Sequence, residues 1–107
     1  MWINMSFAKT SEAFEKEGLP VLYRQENMQK MTGAEGFIAG YALLLHEDHT
    51  QACSLSLWKS REDAEAWFAS QEYIKMVGEV IQHIQGKPDR RGYEVSVDMK
   101  KAAGGEA

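Results

Sequence analysis

The stretch FIAGYALLL, residues 37–45, leads through the polar HEDHT, residues 46–50, into the alternating ACSLSLWK, residues 52–59. The first run is apolar at odd and even positions alike, which predicts a strand buried on both faces. The polar run predicts a hairpin loop, and the alternation after it predicts a second strand with two different faces. One face of that strand carries Cys53, Leu55 and Leu57, and the other carries Ser54, Ser56 and Trp58.

The segments before and after the hairpin add further elements. Residues 2–8 and residues 93–99 also alternate and predict the first and last strands. Between the first strand and residue 33, apolar side chains recur at helical spacing. Gly18 and Pro20 interrupt that spacing, which predicts a kink or a restart of the helix.

A second helical region is predicted after the hairpin. Ser60 is its expected N-cap, with Asp63 at the third helical position. Ser70 is the expected cap of a further helical segment. This segment carries apolar side chains at helical spacing as far as Ile84, and Gly86 is expected to stop it.

The resulting order of strand, helix, strand, strand, helix, strand predicts an α+β fold of the ferredoxin-like βαββαβ type. Its four-stranded antiparallel sheet would carry both helical regions on one face. The apolar side chains of the other face would then be exposed on a monomer, so we predict a homodimer that packs sheet against sheet. Residues 1–99 form the predicted domain, and residues 100–107 form a small, polar tail that we expect to be disordered.

Composition excludes several classes of function. A chain of 107 residues is long enough for one domain. Its 16 acidic residues exceed its 12 Lys and Arg, which argues against nucleic acid as a partner. No apolar run approaches the ~18 residues of a membrane span. The N-terminal residues show no secretory signal, so the cytoplasm is the expected location.

Several residues of the hairpin and of the helical region after it resemble the antibiotic biosynthesis monooxygenase superfamily. They are Gly36 and Phe37, the run from Leu55 to Ser60 with Trp58, then Ala64, Trp67 and the segment from Ser70 to Tyr73. The resemblance covers nearly the whole chain, from the first strand to Val97. It implies a dimeric α+β barrel, in agreement with the homodimer expected from the apolar strands.

The heme-degrading members of that superfamily use a first-strand asparagine, a second-helix tryptophan and a histidine that ligates iron. The resemblance places Asn4 and Trp67 at the first two positions and Val77 at the third. Valine cannot ligate iron, and His83 lies more than a helical turn further on. We therefore expect no cofactor and no metal, and heme is the one cofactor that the resemblance suggests.

The cofactor-free members oxidise aromatic polyketides with dioxygen. The chain resembles them at Trp58, but Ser54 and Ala64 stand where those members have asparagine and tyrosine. Tyr73 or Tyr41 could supply the phenol instead. The resemblance thus implies a monooxygenase that oxidises a small flat aromatic or quinone-like substrate with dioxygen, in a pocket between helices and sheet.

Two other functions stay open at this point. The first is a non-catalytic dimeric barrel that binds a small ligand or has a structural role. The second is a diverged heme-degrading monooxygenase that lacks the usual histidine. The sequence does not decide whether the chain is an enzyme.

The candidate site residues follow from this resemblance. Asn4 and Trp67 are the candidate catalytic residues, and the candidate substrate-binding residues are Trp58, Ser54, Tyr73 and Phe68. Each has a structural alternative, because aromatic side chains at helical spacing usually belong to the core. The small polar residues of the first and third strands either face the helices, leaving volume for a pocket, or face water.

Other chemically capable residues carry simpler interpretations. His46 and His49 lie in the predicted loop without a further ligand, so a solvated turn is expected there. Cys53 is expected to act as a small hydrophobic residue. Arg90 and Arg91 precede the predicted last strand and could meet an acidic ligand group, although a solvated turn is the usual meaning of such a pair.

Overall fold

A computed structural model describes residues 1–100, so the expected tail of residues 100–107 lies, apart from Lys100, outside the described residues. The described residues form four strands and four α-helices. The strands are β1 (Trp2–Thr10), β2 (Phe37–Leu45), β3 (Asp48–Trp58) and β4 (Ile84–Glu94). The helices are α1 (Leu19–Leu22), α2 (Gln25–Thr32), α3 (Arg61–Phe68) and α4 (Gln71–Gly78). A π-helical turn (Phe14–Gly18) precedes α1, and a 3₁₀ turn (Ile81–His83) precedes β4.

The four strands form one antiparallel sheet in the order β2-β3-β1-β4. This order places the two central strands of the fold, β3 and β1, side by side with Asn4 opposite Ser56 and Ser6 opposite Ser54. The α+β, ferredoxin-like fold class predicted from the order of elements is confirmed. Within residues 1–100, no helix is both long and apolar enough to cross a membrane.

The helices after β3 begin where their capping residues predict. The Ser60 hydroxyl accepts a hydrogen bond of 3.1 Å from the backbone N–H of Asp63. The Ser70 hydroxyl accepts one of 3.2 Å from the backbone N–H of Tyr73. Each bond satisfies a donor that the first turn of a helix leaves without a partner, so both predicted N-caps are confirmed.

The core between the helices and the sheet is centred on Trp58, which is fully buried. Its ring meets Phe37 edge-on at 5.4 Å between centroids and Phe68 at 6.1 Å. Trp67 and Met76 are buried in the same cluster. Aromatic pairs in this geometry stabilise a core beyond their buried area, so Trp58 is a packing residue that joins strand to helix.

The last strand does not lie where the alternation of residues 93–99 predicts. It starts at Ile84, which pairs with Thr10, and it ends at Glu94, which pairs with Trp2. No residue of β1 remains for longer pairing, so alternation beyond Glu94 finds no partner strand. The predicted helix as far as Ile84 is wrong for the same reason, because pairing with β1 outweighs local helical spacing.

Gly86, the expected stop of the helix, instead lies inside β4, and so does Pro88. Gly86 has a φ of 72°, a conformation that favours glycine, in the region where the register against β1 shifts. Pro88 lies further along the same strand, which is at the edge of the sheet, where a missing N–H does not interrupt a ladder. The helix ends earlier, at Gly78, and the chain turns through the 3₁₀ segment to reach the sheet.

The hairpin also differs from its prediction. The loop is shorter than expected, because β3 already begins at Asp48. The strand β2 lies at an edge of the sheet, and Tyr41 and Leu43 are 62% and 43% exposed. The prediction that residues 37–45 are buried on both faces is therefore wrong for the single chain. The strand β2 is apolar at odd and even positions alike, yet it is an edge strand and several of its apolar side chains are exposed.

Candidate functional site

A cavity of about 110 Å³ lies between the helices and the sheet. Its floor is formed by small side chains of the sheet, and its walls are aliphatic and aromatic side chains of the helical segments. Ser6 and Ser54 lie opposite each other in the floor, and Ser56 follows on the same face. Small residues beneath two helical regions leave volume that larger side chains would fill, which explains the position of the cavity.

The hydroxyl groups of the floor are the polar part of an otherwise apolar cavity. Ser56 is already engaged, because its oxygen accepts a hydrogen bond of 2.9 Å from the indole N–H of Trp58. The Ser54 side chain lies on the same face and lines the cavity. The alternative in which these serines face away from the helices is thereby excluded.

Two phenols enter the cavity wall from opposite helical regions. Tyr23 follows α1, and Tyr73 lies in α4. Burial raises the pKa of Tyr23 above its ordinary value of 10.0, with smaller contributions from Tyr73 and Cys53. Tyr23 therefore stays neutral at physiological pH and can donate a hydrogen bond from its hydroxyl.

Arg90 of β4 extends across the same side of the sheet. Its guanidinium carbon lies 4.6 Å from the ring centroid of Phe68 and 5.4 Å from that of Tyr73. One guanidinium N–H donates to the Tyr73 hydroxyl oxygen at 3.0 Å. Because Tyr73 accepts this bond, its own O–H proton remains available to a ligand.

Asn4 and Trp67 are buried close to this region, each only 6% exposed. The side-chain amide nitrogen of Asn4 and the indole nitrogen of Trp67 are buried and make no hydrogen bond to any described residue. Buried donors normally have partners, so each of these N–H groups is able to donate to a water or a ligand atom. Neither residue is among the described residues that line the cavity.

The structure brings half of the predicted site residues to one place. Ser54, Tyr73 and Phe68 line the cavity. Asn4, Trp67 and Trp58 are buried beside it and are not among its described lining residues. Trp58 has its N–H occupied by Ser56, whereas Asn4 and Trp67 keep unpartnered donors.

Tyr23 is a residue of this region to which the sequence analysis assigned no site role, and Arg90 was considered only as a residue that could meet an acidic ligand group. A signal for Tyr23 was present, because Leu19, Leu22 and Tyr23 have the i, i+3, i+4 spacing of one helical face, and all three line the cavity. Arg90 was placed in a turn before the last strand, and its position over two helix residues depends on the register of β4 against β1.

A heme with a histidine ligand does not fit these residues. Val77, at the position where the resemblance places the ligand, lines the cavity with an aliphatic side chain. His83 is held elsewhere, with its ring nitrogen 3.1 Å from the Ser11 hydroxyl and its ring near Phe14. The cavity of about 110 Å³ is also well below the ~300–1,000 Å³ of sites that hold cofactors and drug-sized ligands.

The remaining candidates are placed outside the cavity or in apolar surroundings. His49 lies 3.0 Å from Glu15 at the surface. Cys53 is partly buried on the sheet, and this burial raises the pKa of its thiol. Among residues 1–100, no group of three or more His, Cys, Asp or Glu side chains is arranged to hold a metal ion.

The sheet order and the helical layer give a fold that is similar to those of solved antibiotic biosynthesis monooxygenase structures. The similarity predicted from the residues around Trp58 is confirmed at the level of the fold. No protein-family profile and no curated protein matches the sequence.

Three solved structures illustrate the similarity. A provisionally assigned antibiotic biosynthesis monooxygenase from Nitrosomonas europaea is 18% identical, with a TM-score of 0.76 over 91% of this chain and 100% of that one. One from Deinococcus radiodurans is 10% identical, with a TM-score of 0.78 over 94% and 97%. SnoaB, a cofactor-independent oxygenase from Streptomyces nogalater, is 6% identical, with a TM-score of 0.74 over 92% and 95%.

Proposed function

We propose that the chain is a monooxygenase that oxidises a small aromatic substrate with dioxygen in the cavity between helices and sheet, without a bound cofactor. The observation that carries this proposal is the cavity itself. Its described lining is apolar apart from hydroxyl, phenol and thiol groups, and it contains no charged side chain. Apolar cavities of ~150 Å³ bind benzene, so a volume of about 110 Å³ limits the substrate to at most one aromatic ring.

The proposed reaction needs no external electron donor. A phenol gives up one ring hydrogen and its hydroxyl hydrogen and becomes a quinone. One atom of dioxygen becomes the new carbonyl oxygen, and the other leaves with the two hydrogens as water. The substrate supplies all four electrons, so the protein has only to bind the ring, exclude water and hold its oxygen atom in place.

The hydrogen-bond donors near the cavity support these roles. Tyr23 is neutral, and the Tyr73 oxygen accepts from Arg90, so that its O–H group is free to donate to a ligand. Both phenols can therefore orient the oxygen atom of a substrate. The unpartnered N–H groups of Asn4 and Trp67 would serve a second oxygen atom or a water at the edge of the site.

Oxygen consumption tests this proposal. Purified protein with a monocyclic phenol that carries one hydroxyl group should consume about one dioxygen per quinone formed, without added metal, flavin or heme. Tyr73→Phe removes a phenol from the cavity and should lower the rate at least about tenfold. Tyr41→Phe is the matched control, because Tyr41 is 62% exposed on the other face of the sheet. Unchanged oxygen uptake in Tyr73→Phe would contradict the assigned role.

A non-catalytic binding function is the second candidate, and one observation favours it. The described lining contains no carboxylate, histidine or amine that could remove a proton from a substrate. Under this alternative, monocyclic phenols raise the melting temperature by binding the native state, yet dioxygen is not consumed. The same oxygen-electrode experiment therefore separates the two functions.

A second copy of the chain is the proposed partner, packed on the face of the sheet opposite the helices. This face carries apolar side chains from three strands, and several of them are exposed. They include Phe7 of β1, Tyr41 and Leu43 of β2 and Tyr93 of β4. An exposed apolar area spread over a whole sheet face is typical of an interface between subunits.

A further inference from the structure

We infer that the cavity takes an aromatic ligand with an anionic group, and that Arg90 binds this group at the rim. The inference rests on the proposed function, because it names the substrate class of the same site. It starts from the position of the Arg90 guanidinium, which lies over Phe68 and Tyr73. Both rings line the cavity, and so does Ser6, the β1 partner of Arg90 in the sheet.

Arg90 differs from the other arginines of the chain in its partners. Arg24, Arg61 and Arg91 each contact a carboxylate, at 2.7 Å, 2.7 Å and 2.8 Å. Among residues 1–100, Arg90 contacts no carboxylate, and the Tyr73 hydroxyl is the acceptor that it uses. A guanidinium has five N–H donors, so most of those of Arg90 remain free for an anion.

The two rings hold the guanidinium in a fixed orientation. Stacking of Arg90 on Phe68 and on Tyr73 restricts the long side chain, and the hydrogen bond to the Tyr73 oxygen orients its plane. An arginine that is already ordered loses less entropy when it binds a planar anion, and its fork of donors matches a carboxylate. The side chain is therefore arranged for recognition of an anion beside an aromatic ring.

The size and polarity of the cavity restrict the ligand that it can hold. The volume of about 110 Å³ accommodates one ring, and its described lining offers no cation. An anionic group could not enter this lining without losing its hydration. It would remain at the rim, where Arg90 is exposed to solvent and above the wall formed by Phe68 and Tyr73. The ligand class is thus a monocyclic phenol with one carboxylate, such as a hydroxybenzoate.

A comparison of para-hydroxybenzoate with para-hydroxybenzamide tests this inference by calorimetry. The two probes share ring and hydroxyl, and only the first is charged. The wild-type protein should bind the acid at least about tenfold more tightly, and the preference should weaken with added salt. Arg90→Gln should abolish the preference, so that the acid binds no more tightly than the amide.

Arg91→Gln is the matched control, because Arg91 pairs with Asp89 and stacks on Phe7, on the opposite face of the sheet. It should retain the preference of the wild type. Equal affinity of the wild type for acid and amide would overturn the inference about the anionic group. It would not contradict the proposal that the cavity binds an aromatic ring. A preference that persists in Arg90→Gln would also overturn it. Failure of both probes to bind would overturn the inference and the proposed function together.

Discussion

Trp58 is the residue that joins the sheet to the helical layer. Its ring is fully buried between Phe37 and Phe68, and its indole N–H has one acceptor, the Ser56 hydroxyl at 2.9 Å. Ser56 lies two residues before it on the same face of β3. The pair therefore satisfies a buried donor within a single strand, and the hydroxyl also forms part of the cavity floor.

Ser56→Ala should lower the free energy of unfolding by about 1–3 kcal/mol, because it leaves the Trp58 N–H buried without an acceptor. Urea denaturation measures the change. Ser54→Ala is the control, since this serine lines the same cavity but does not serve Trp58. A loss of stability equal in the two variants would contradict the role assigned to the hydrogen bond.

Tyr23 should make stability depend on pH in the alkaline range. Its folded pKa is raised by burial above 10.0, so at high pH the unfolded chain loses this proton before the folded chain does. The stabilising contribution is complete below pH 10.0 and declines as the pH rises towards the folded pKa.

Tyr23→Phe should therefore reduce the loss of stability between about pH 8 and about pH 11, measured by urea denaturation at each pH. Tyr41→Phe provides the comparison, because Tyr41 is largely exposed. The loss of stability at alkaline pH should be as steep in Tyr41→Phe as in the wild type. An identical pH dependence in wild type and Tyr23→Phe would disprove the contribution of Tyr23.

At the level of elements, the junction of α2 and β2 depends on one glycine. Gly36 has a φ of 78°, and its carbonyl accepts a hydrogen bond of 2.8 Å from the N–H of Lys59 at the end of β3. A Cβ at this position would overlap the carboxyl group of Asp63 in α3. The turn into β2 thus requires glycine for its backbone conformation and for the close approach of α3.

Gly36→Ala should destabilise the protein by more than about 1 kcal/mol, because it introduces both backbone strain and a steric overlap. Gly78→Ala, at the end of α4, should instead stabilise the protein. A Cβ there meets no atom within 4 Å, and alanine favours a helix over glycine by ~0.5–1 kcal/mol. Thermal denaturation of both variants measures these two changes in stability. A Gly36→Ala variant as stable as the wild type would contradict the requirement for glycine at this turn.

For the whole molecule, the open face of the sheet decides the expected assembly. Sedimentation equilibrium should give twice the 12.1 kDa of one chain at micromolar concentration. Tyr41→Asp places a charge on this face, on a side chain of the edge strand β2 that is 62% exposed in the single chain, and should shift the equilibrium towards monomer.

Ile74→Asp is the control for the assembly, because Ile74 is 52% exposed on α4, in the helical layer on the other side of the sheet. It should leave the dimer intact. A wild-type monomer would refute the proposed homodimer. Dissociation by Ile74→Asp with a stable dimer in Tyr41→Asp would place the interface on the helices instead.

The order of elements, the helix caps and the strand faces were predictable because local physics encodes them. The alternation around Ser54 and Ser56 indicates a strand with two different faces. The hydroxyls of Ser60 and Ser70 cap helices by hydrogen bonds to the backbone three residues further along. These signals need no knowledge of distant residues. They were sufficient for the ferredoxin-like fold, whereas the three correctly predicted lining residues of the cavity came from the family resemblance.

Contacts between residues far apart in the chain determined where β4 begins and which side chains meet at the cavity. β4 begins at Ile84 because that residue pairs with Thr10, more than seventy positions earlier, and no local pattern records this register. The same register carries Arg90 over Phe68 and Tyr73, and helix packing brings Tyr23 and Tyr73 into one cavity wall. Residues far apart in the chain meet only after the sheet and helices have packed, so the candidate site emerges from the tertiary arrangement while the strands and caps are set locally.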